Sequence, residues 1–248
     1  MKPEQVRNLY DRTYAEAYDE KFVHSVIDKI RTADGVKHLT EFLGPAEAGK
    51  RWLDLGCGTG HFLSQFPDHQ RAGLDVSPSM LALAQAKNPG VTFTEGSFTD
   101  PQPAWDGAWD VISCMYYAYG LVDSLDQIHS LLQNIARWLK PGGIAYIPFG
   151  DPELISGASL PDQIQHPAGI VQIDGVIWSF IEPAEGKEHV HQLAPTLDWF
   201  RRKTAPLFES MELRQFAKPE PGVLEAIDPD WAAAYTPEQV MILRKSHG

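Results

Sequence analysis

Trp52-Leu53-Asp54-Leu55 runs directly into Gly56-Cys57-Gly58-Thr59-Gly60, so a short apolar segment ends in three glycines at alternate positions. Glycines there let the backbone turn tightly and approach a ligand at van der Waals distance, which a side chain would block. The spacing is G-x-G-x-G. A dinucleotide-binding turn reads G-x-G-x-x-G, and the place of its third glycine is held by His61, so a pyrophosphate cradle is disfavoured. A P-loop is excluded by the lack of Gly-Lys-Ser/Thr.

Asp75 ends a second apolar segment, Arg71 to Val76, 21 residues after Asp54. A carboxylate in that place can accept hydrogen bonds from both hydroxyls of an unmodified ribose. Gly96-Ser97-Phe98 follows a third such segment, and offers a small polar residue beside an aromatic to the edge and face of a purine. The fourth segment, Trp109 to Cys114, runs into Met115-Tyr116-Tyr117-Ala118-Tyr119. Three tyrosines at a strand end are too many polar tips for a dry core, which makes Tyr116, Tyr117 and Tyr119 candidates for a substrate pocket. His189 and His191 lie two apart on a presumed strand and are expected on one face. No third ligand is spaced to make a metal site of them. His61 reads as structural, and His166 falls in a proline-rich loop.

The elements that must position these residues alternate. Strands at Trp52–Leu55, Arg71–Val76, Val91–Glu95, Trp109–Cys114 and Ile144–Phe149 are separated by helices, including one from Met80 to Lys87 capped by Ser77-Pro78 and one from about Leu125 to Leu139 that stops at Lys140-Pro141-Gly142-Gly143. Such alternation predicts an α/β fold, a mainly parallel, doubly wound sheet with helices on both faces and its ligand at the carboxyl ends of the strands. Residues 1–43 read as helix, with Tyr10, Tyr14 and Tyr18 on one stripe, ended by Gly44-Pro45. Beyond residue 150, Gly169–Ile173, an Asp174-Gly175 turn, Val176–Ile181, a turn at Glu185-Gly186 and Lys187–Ala194 predict a three-stranded antiparallel meander. A helix at about Pro195–Glu209 and strands at Met211–Phe216 and Gln239–Arg244 complete the chain.

The 248 residues are 43% hydrophobic and 22% charged, with two cysteines, which excludes a disordered chain and a disulfide scaffold. A net charge of −12 repels phosphate backbones, and Arg201-Arg202-Lys203, the densest basic stretch, reads as a solvated helix face; no nucleic-acid partner is expected. No apolar run is long enough to cross a bilayer and none opens the chain as a signal segment, so no membrane partner and a cytoplasmic address are expected. Cys57 and Cys114 match no zinc spacing and read as reduced thiols.

Taken together, D-L-G-C-G-T-G from Asp54, L-D-V-S from Leu74, E-G-S-F from Glu95, W-D-V-I-S from Trp109 and L-K-P-G-G from Leu139 resemble the class I S-adenosylmethionine-dependent methyltransferases. The resemblance implies a Rossmann-like seven-stranded sheet whose last strand is antiparallel. It also implies S-adenosyl-L-methionine as cofactor, leaving as S-adenosyl-L-homocysteine, with Gly56, Gly58 and Gly60 around the methionine moiety, Asp75 on the ribose, and Ser97 with Phe98 at adenine. Asp54, Cys57, Val76, Cys114 and Met115 join that cofactor set. Leu9-Tyr10-Asp11 and Ala17-Tyr18-Asp19 resemble the Tyr-Asp pairs that sit on a helical lid in related small-molecule methyltransferases, which adds Tyr10 and Tyr18. The insertion after strand five resembles, in topology, the cap of nucleotide-sugar N-methyltransferases.

On this reading residues 1–43 are a lid, 44–150 the cofactor-binding core, 151–194 an inserted cap, and 195–248 the completion of the sheet. The expected activity is methyl transfer to an O or N atom of a small polar metabolite, such as a sugar derivative or biosynthetic intermediate. The strand-four end has no [N/D/S]-P-P-[Y/F] and no Pro-Cys, signatures of nucleobase methylation, which favours a small molecule. Alternatives are a non-catalytic cofactor-binding subunit and an RNA or protein methyltransferase. A hydroxyl acceptor asks for a general base, for which His189 and His191 are candidates, with Tyr116 a third catalytic candidate. Val176, Trp178 and Phe180 against Ile177 and Ile181 make both faces of the meander apolar, which predicts a homodimer through it.

Overall fold

The structure, a computed structural model, describes residues 1–23, 26–182, 187–220, 222–223, 226 and 236–248, with the side chains of Val26, Ile27 and His166 outside the description. Three helices open the chain: α1 (Pro3–Leu9), α2 (Arg12–Phe22) and α3 (Val26–Leu43). Asp11 starts α2 by accepting from the Tyr14 amide at 2.9 Å, and Gly44, at φ +67°, ends α3.

The alternating part follows as β1 (Arg51–Leu55), α4 (His61–Ser64), β2 (Gln70–Asp75), α5 (Pro78–Lys87), β3 (Thr92–Glu95), β4 (Trp109–Ser113), α6 (Leu125–Trp138) and β5 (Leu139–Phe149). Then come α7 (Pro152–Ser156), β6 (Gln163–His166), β7 (Gly169–Gln172), β8 (Gly175–Ile181), β9 (Glu188–Pro195), α8 (Leu197–Thr204), β10 (Ser210–Gln215) and β11 (Gln239–Arg244). The main sheet has the order β10-β11-β5-β4-β1-β2-β3. Every pairing in it is parallel except those of β11, which is antiparallel to both neighbours. This is the expected seven-stranded sheet with an antiparallel last strand.

Both faces of the sheet are covered. Ile128, Leu131, Leu132 and Ile135 recur at helical spacing along α6 and are all buried, and with Trp199 and Phe200 of α8 they pack one face. Leu39 and Leu43 of α3, Leu63 of α4 and Leu81 of α5 pack the other. Full burial of one such side chain stabilises by roughly 1.5–3 kcal/mol, so the central strands must be apolar on both sides, as Trp52 on one face of β1 and Leu53 on the other are.

Three boundaries differ from expectation. β5 begins at Leu139, and the pairing jumps from Trp109↔Leu139 to Val111↔Ile144, so Lys140-Pro141-Gly142-Gly143 bulges within the strand instead of preceding it. Lys140 is held there by Asp110 at 2.6 Å. α8 is shorter than the expected 195–209, because Thr196 caps it by accepting from the Trp199 amide at 3.2 Å and Pro206 cannot continue it.

The strands between β5 and α8 are antiparallel, but they do not form one three-stranded meander. β7 pairs with β6, a strand expected to be loop, and β8 pairs with β9, giving two separate hairpins. Asp174-Gly175 is therefore no hairpin turn. The Asp174 carboxylate takes Arg202 of α8 at 2.6 Å and its carbonyl accepts from the Thr196 amide at 2.9 Å, which anchors the link between hairpins to α8. The turn expected at Glu185-Gly186 lies outside the described residues. Among the described residues no helix is long and apolar enough to cross a membrane, and both cysteines are free and buried.

Candidate active site

The glycine loop leaves β1 with Gly56, Gly58 and Gly60 all at positive φ (+66°, +53° and +71°). A Cβ on Gly56 would stand 2.8 Å from that of Ala118, and one on Gly60 would stand 2.7 Å from Asn88 Nδ2. The first glycine thus admits the strand-four turn, and the third admits α5 beneath the loop. The middle of the loop is tied to β2: the Gly58 amide donates to Asp75 Oδ2 at 2.8 Å, and the Ser77 amide donates to Oδ1 at 2.8 Å. Burial pushes the Asp75 carboxyl up from its ordinary range, against these backbone donors.

Asp54, one residue before the end of β1, is buried and accepts from the Ser113 hydroxyl at 2.6 Å, which in turn accepts from the Trp52 indole at 2.7 Å. Burial raises its carboxyl to about 7; the Ser113 bond opposes this and the nearby Asp75 adds to it. The result is a carboxyl poised to ionise when a cation or a donor arrives beside it.

Helices α1 and α2, the expected lid, lie against these groups. Ser77 Oγ donates to the Tyr10 carbonyl at 2.7 Å and Arg7 Nε donates to the Val76 carbonyl at 2.8 Å, fixing the α1–α2 corner above β2. Tyr10 and Tyr18 stand with ring centroids 6.0 Å apart. Burial pushes both phenols well up, so they remain neutral hydrogen-bonding groups.

Loop, lid and strand ends enclose a cavity of about 1020 Å³, part of it open to solvent. Asp75, Val76, Ser97 and Phe98 line one end; Asp54, Gly56, Cys57, Met115 and Tyr116 line the other; Tyr10 and Tyr18 cover it. A carboxylate flanked by apolar side chains suits a ribose and a purine ring. The Asp54 carboxyl and the glycine backbone suit a charged amino-acid tail. The donor set therefore fits a nucleoside carrying such a tail. Tyr116 and Tyr117 follow β4 at φ +49° and +59°, left-handed values that are rare outside glycine and gather at functional sites. The double turn sends Tyr116 to the cavity, where its hydroxyl lies 3.2 Å from Thr32 Oγ1 and burial lifts it to about 12.

Seven residues singled out from the sequence are not on this wall. Gly58 and Gly60 act beneath it, through Asp75 and α5. Cys114 is fully buried in the core behind it, and burial pushes its thiol up. Tyr119 also turns inward, because the buried Gly150 amide donates to its hydroxyl at 2.8 Å and Phe200 meets its ring edge-on at 5.6 Å. Tyr117 lies against Gly150, hydrogen-bonded to Glu238. His189 and His191 do not share a face: the β8–β9 register shifts between Trp178 and Phe180, and His191 takes up the extra residue at φ +55°. His189 is buried against Tyr14 and Glu182, whereas His191 is exposed.

Thr59, Leu121 and Gln127, which carried no expectation from the sequence, line the cavity, and so does His61, which was expected to be structural. Thr59 was within reach, since it interleaves with the glycines. Leu121 and Gln127 belong to the turn after the tyrosines and carry no chemical signature. Among the described residues no group of three or more His, Cys, Asp or Glu could hold a metal ion.

A family model described as methyltransferase domain matches residues 53–143. The trans-aconitate 2-methyltransferase of Methylobacterium nodulans is 31% identical over 130 residues, 50% of this chain and 43% of that protein. The dTDP-4-amino-2,3,4,6-tetradeoxy-D-glucose N,N-dimethyltransferase of Saccharopolyspora spinosa is 26% identical over 168 residues, 65% of each chain. The matched stretch spans about half the length of the curated relatives. CalS10, an amino pentose methyltransferase from Micromonospora echinaspora solved with S-adenosylmethionine bound, shares the fold over 96% of this chain and 98% of its own, with a TM-score of 0.60 at 19% identity. With the glycine loop bonded directly to Asp75, residues 53–143 of the chain match a methyltransferase domain, set in a seven-stranded sheet with the fold of the class I S-adenosylmethionine-dependent methyltransferases.

Proposed function

We propose that this protein transfers a methyl group from S-adenosylmethionine to an O or N atom of a small polar metabolite. The observation that carries the reading is the single cavity in which Asp75, the glycine loop and the lid tyrosines meet Tyr116. Asp75 would hold the ribose, Val76, Ser97 and Phe98 the adenine, and Asp54, Gly56 and Cys57 the amino-acid end, with Tyr10, Tyr18 and Met115 completing the wall. When bound, the cofactor supplies a methyl already made electrophilic by its sulfonium. What remains for the protein is to exclude water and to hold an acceptor in line, and alignment alone contributes on the order of 7–11 kcal/mol. Tyr116, which borders the same cavity as Asp54 and Met115, would orient that acceptor.

A small acceptor is supported by the negative balance of the chain and by relatives named for trans-aconitate and for an amino sugar. Neither His189 nor His191 borders the cavity, so a general base from that pair is not part of this reading; His61 is the imidazole on the wall. Incubating the protein with methyl-labelled S-adenosylmethionine and a metabolite extract, followed by mass spectrometry, tests the proposal. A metabolite shifted by one labelled methyl supports it and names the acceptor. Cofactor binding without turnover points to a cofactor-binding partner subunit, and labelled RNA or protein to a macromolecular substrate.

The reading includes a cytoplasmic, reducing address, in keeping with two free buried thiols, and a homodimer through the insertion. Ile170, Ile177 and Ile181 on the hairpins are 60%, 69% and 56% exposed, and a second copy would cover them.

A further inference from the structure

One seam joins the lid to the β8–β9 hairpin, and its polar groups are buried. The Tyr14 hydroxyl of α2 donates to Glu182 Oε1 and lies 3.0 Å from His189 Nε2, which is itself 2.6 Å from the same carboxylate oxygen. Lys21, one turn on from the centre of α2, donates to Glu182 Oε2 at 3.1 Å. Lys187 of the hairpin side donates to the Leu9 carbonyl at 2.6 Å and stands 3.5 Å over the Tyr14 ring. Tyr14, Glu182 and His189 are 3%, 6% and 5% exposed.

A carboxylate so placed must be well bonded to remain charged. Burial pushes Glu182 up, yet the bonds from His189, Tyr14 and Lys21 together outweigh it and hold the carboxyl below its ordinary range. Two of those three partners belong to the lid. Parting the seam therefore gives up charge-assisted bonds at once on both sides. None of the three residues borders the cavity. Tyr10 and Tyr18, which do, both pack against the Tyr14 ring with centroids at 5.5 Å and 6.2 Å and against each other at 6.0 Å, and the His189 ring lies 6.1 Å from that of Tyr10.

We propose that Tyr14, Glu182 and His189 form a positioning network by which the inserted hairpin holds the lid tyrosines over the cofactor. Cofactor binding and docking of the hairpin then reinforce each other. This rests on the cofactor reading above. It assigns His189 a role transmitted through Tyr14 rather than proton abstraction. Coupling of this kind is reciprocal: if the docked hairpin tightens cofactor binding, the cofactor must tighten the hairpin by the same factor.

Hydrogen exchange of the intact protein, with and without S-adenosylmethionine, tests both directions. In the wild type the cofactor is expected to slow exchange about tenfold in β8–β9 as well as in α2. Glu182→Leu is expected to speed exchange in α2 of the ligand-free protein about tenfold while β1, β4 and β5 are unchanged, and to weaken cofactor binding by calorimetry about 10–30-fold. Glu182→Gln keeps an oxygen for Tyr14 and should fall between. If Glu182→Leu loses protection in the central sheet as well, Tyr14→Phe, which removes only a hydroxyl, carries the same comparison.

The proposal is overturned if the cofactor slows α2 but leaves β8–β9 unchanged, or if a folded Leu or Phe variant keeps wild-type exchange in α2 and wild-type affinity. Failure of the wild type to bind S-adenosylmethionine would instead sink the functional reading, and the ligand-free comparison of α2 would still decide whether Glu182 holds the lid.

Discussion

Thr59, in the middle of the glycine loop, donates its hydroxyl to Asp19 Oδ1 at 2.5 Å, so the lid is bolted to the loop it covers. The other oxygen of Asp19 takes the Lys87 ammonium at the end of α5. Burial works to raise the Asp19 carboxyl, but the bonds from Lys87 and Thr59 prevail and hold it low. The Tyr18-Asp19 pair thus divides two tasks: the ring faces the cavity, and the carboxylate fastens the helix that carries it.

Asp19→Ala should free that edge of the lid. Losing hydrogen bonds to a charged group, about 1.5–3 kcal/mol each before water replaces them, predicts about tenfold weaker cofactor binding, with the central sheet unaffected. Calorimetry showing less than a threefold change would remove Asp19 from the lid's support.

Asp75→Ala should act more strongly, since it also releases the Gly58 and Ser77 amides that the carboxylate ties, with the central sheet unaffected. Two ribose hydroxyls bonded to one carboxylate imply a loss on the order of 10²–10⁴ in affinity. A change under threefold would defeat the ribose assignment.

Asp54 makes the ligand-free protein pH-sensitive. Its carboxyl is raised from the ordinary 3.8 to about 7 in the folded chain, so between these values the folded state binds the proton more tightly than the unfolded one. Stability from this group is full below about pH 4 and is lost as pH rises towards 7, at up to about 1.4 kcal/mol per pH unit. Urea unfolding at pH 5 and pH 8 should show the loss, and Asp54→Asn should lessen it; equal pH dependence in the two proteins would contradict the shift.

Tyr116 and Tyr119 should separate cleanly. Tyr119→Phe leaves the buried Gly150 amide without its acceptor, which predicts destabilisation by about 1–3 kcal/mol and an unchanged KM for the acceptor. Tyr116→Phe should raise that KM with little effect on stability. Denaturation curves, together with kinetics on the acceptor found by labelling, would show the roles reversed if the assignment is wrong.

Association through the insertion predicts that Ile177→Asp, on the most exposed of the large apolar side chains, converts a dimer into a monomer. Sedimentation of the wild type as a single 27.6 kDa species at micromolar concentration would end that proposal.

The parts of this site legible in the residues alone are those built by near neighbours. Glycines alternating after an apolar run can only turn sharply, Ser77-Pro78 can only start a helix, and Gln239–Arg244 reads as a strand and is one at those bounds. Asp75 and the glycine loop were legible as one site because β1 and β2 are successive strands of a parallel sheet, whose carboxyl ends must lie together. The choices that escaped such reading depend on partners far along the chain. Asp174-Gly175 has the composition of a hairpin turn, yet Arg202, 28 residues on, holds it as a link between two hairpins. His189 and His191 obey the two-residue period of a strand only if no residue is added to it, and the bulge at His191 adds one. Tyr119 looks no different in type from Tyr116, but the Gly150 amide at the end of β5 needs an acceptor in a place water does not reach, and that need turns one tyrosine inward while its neighbour faces the cavity.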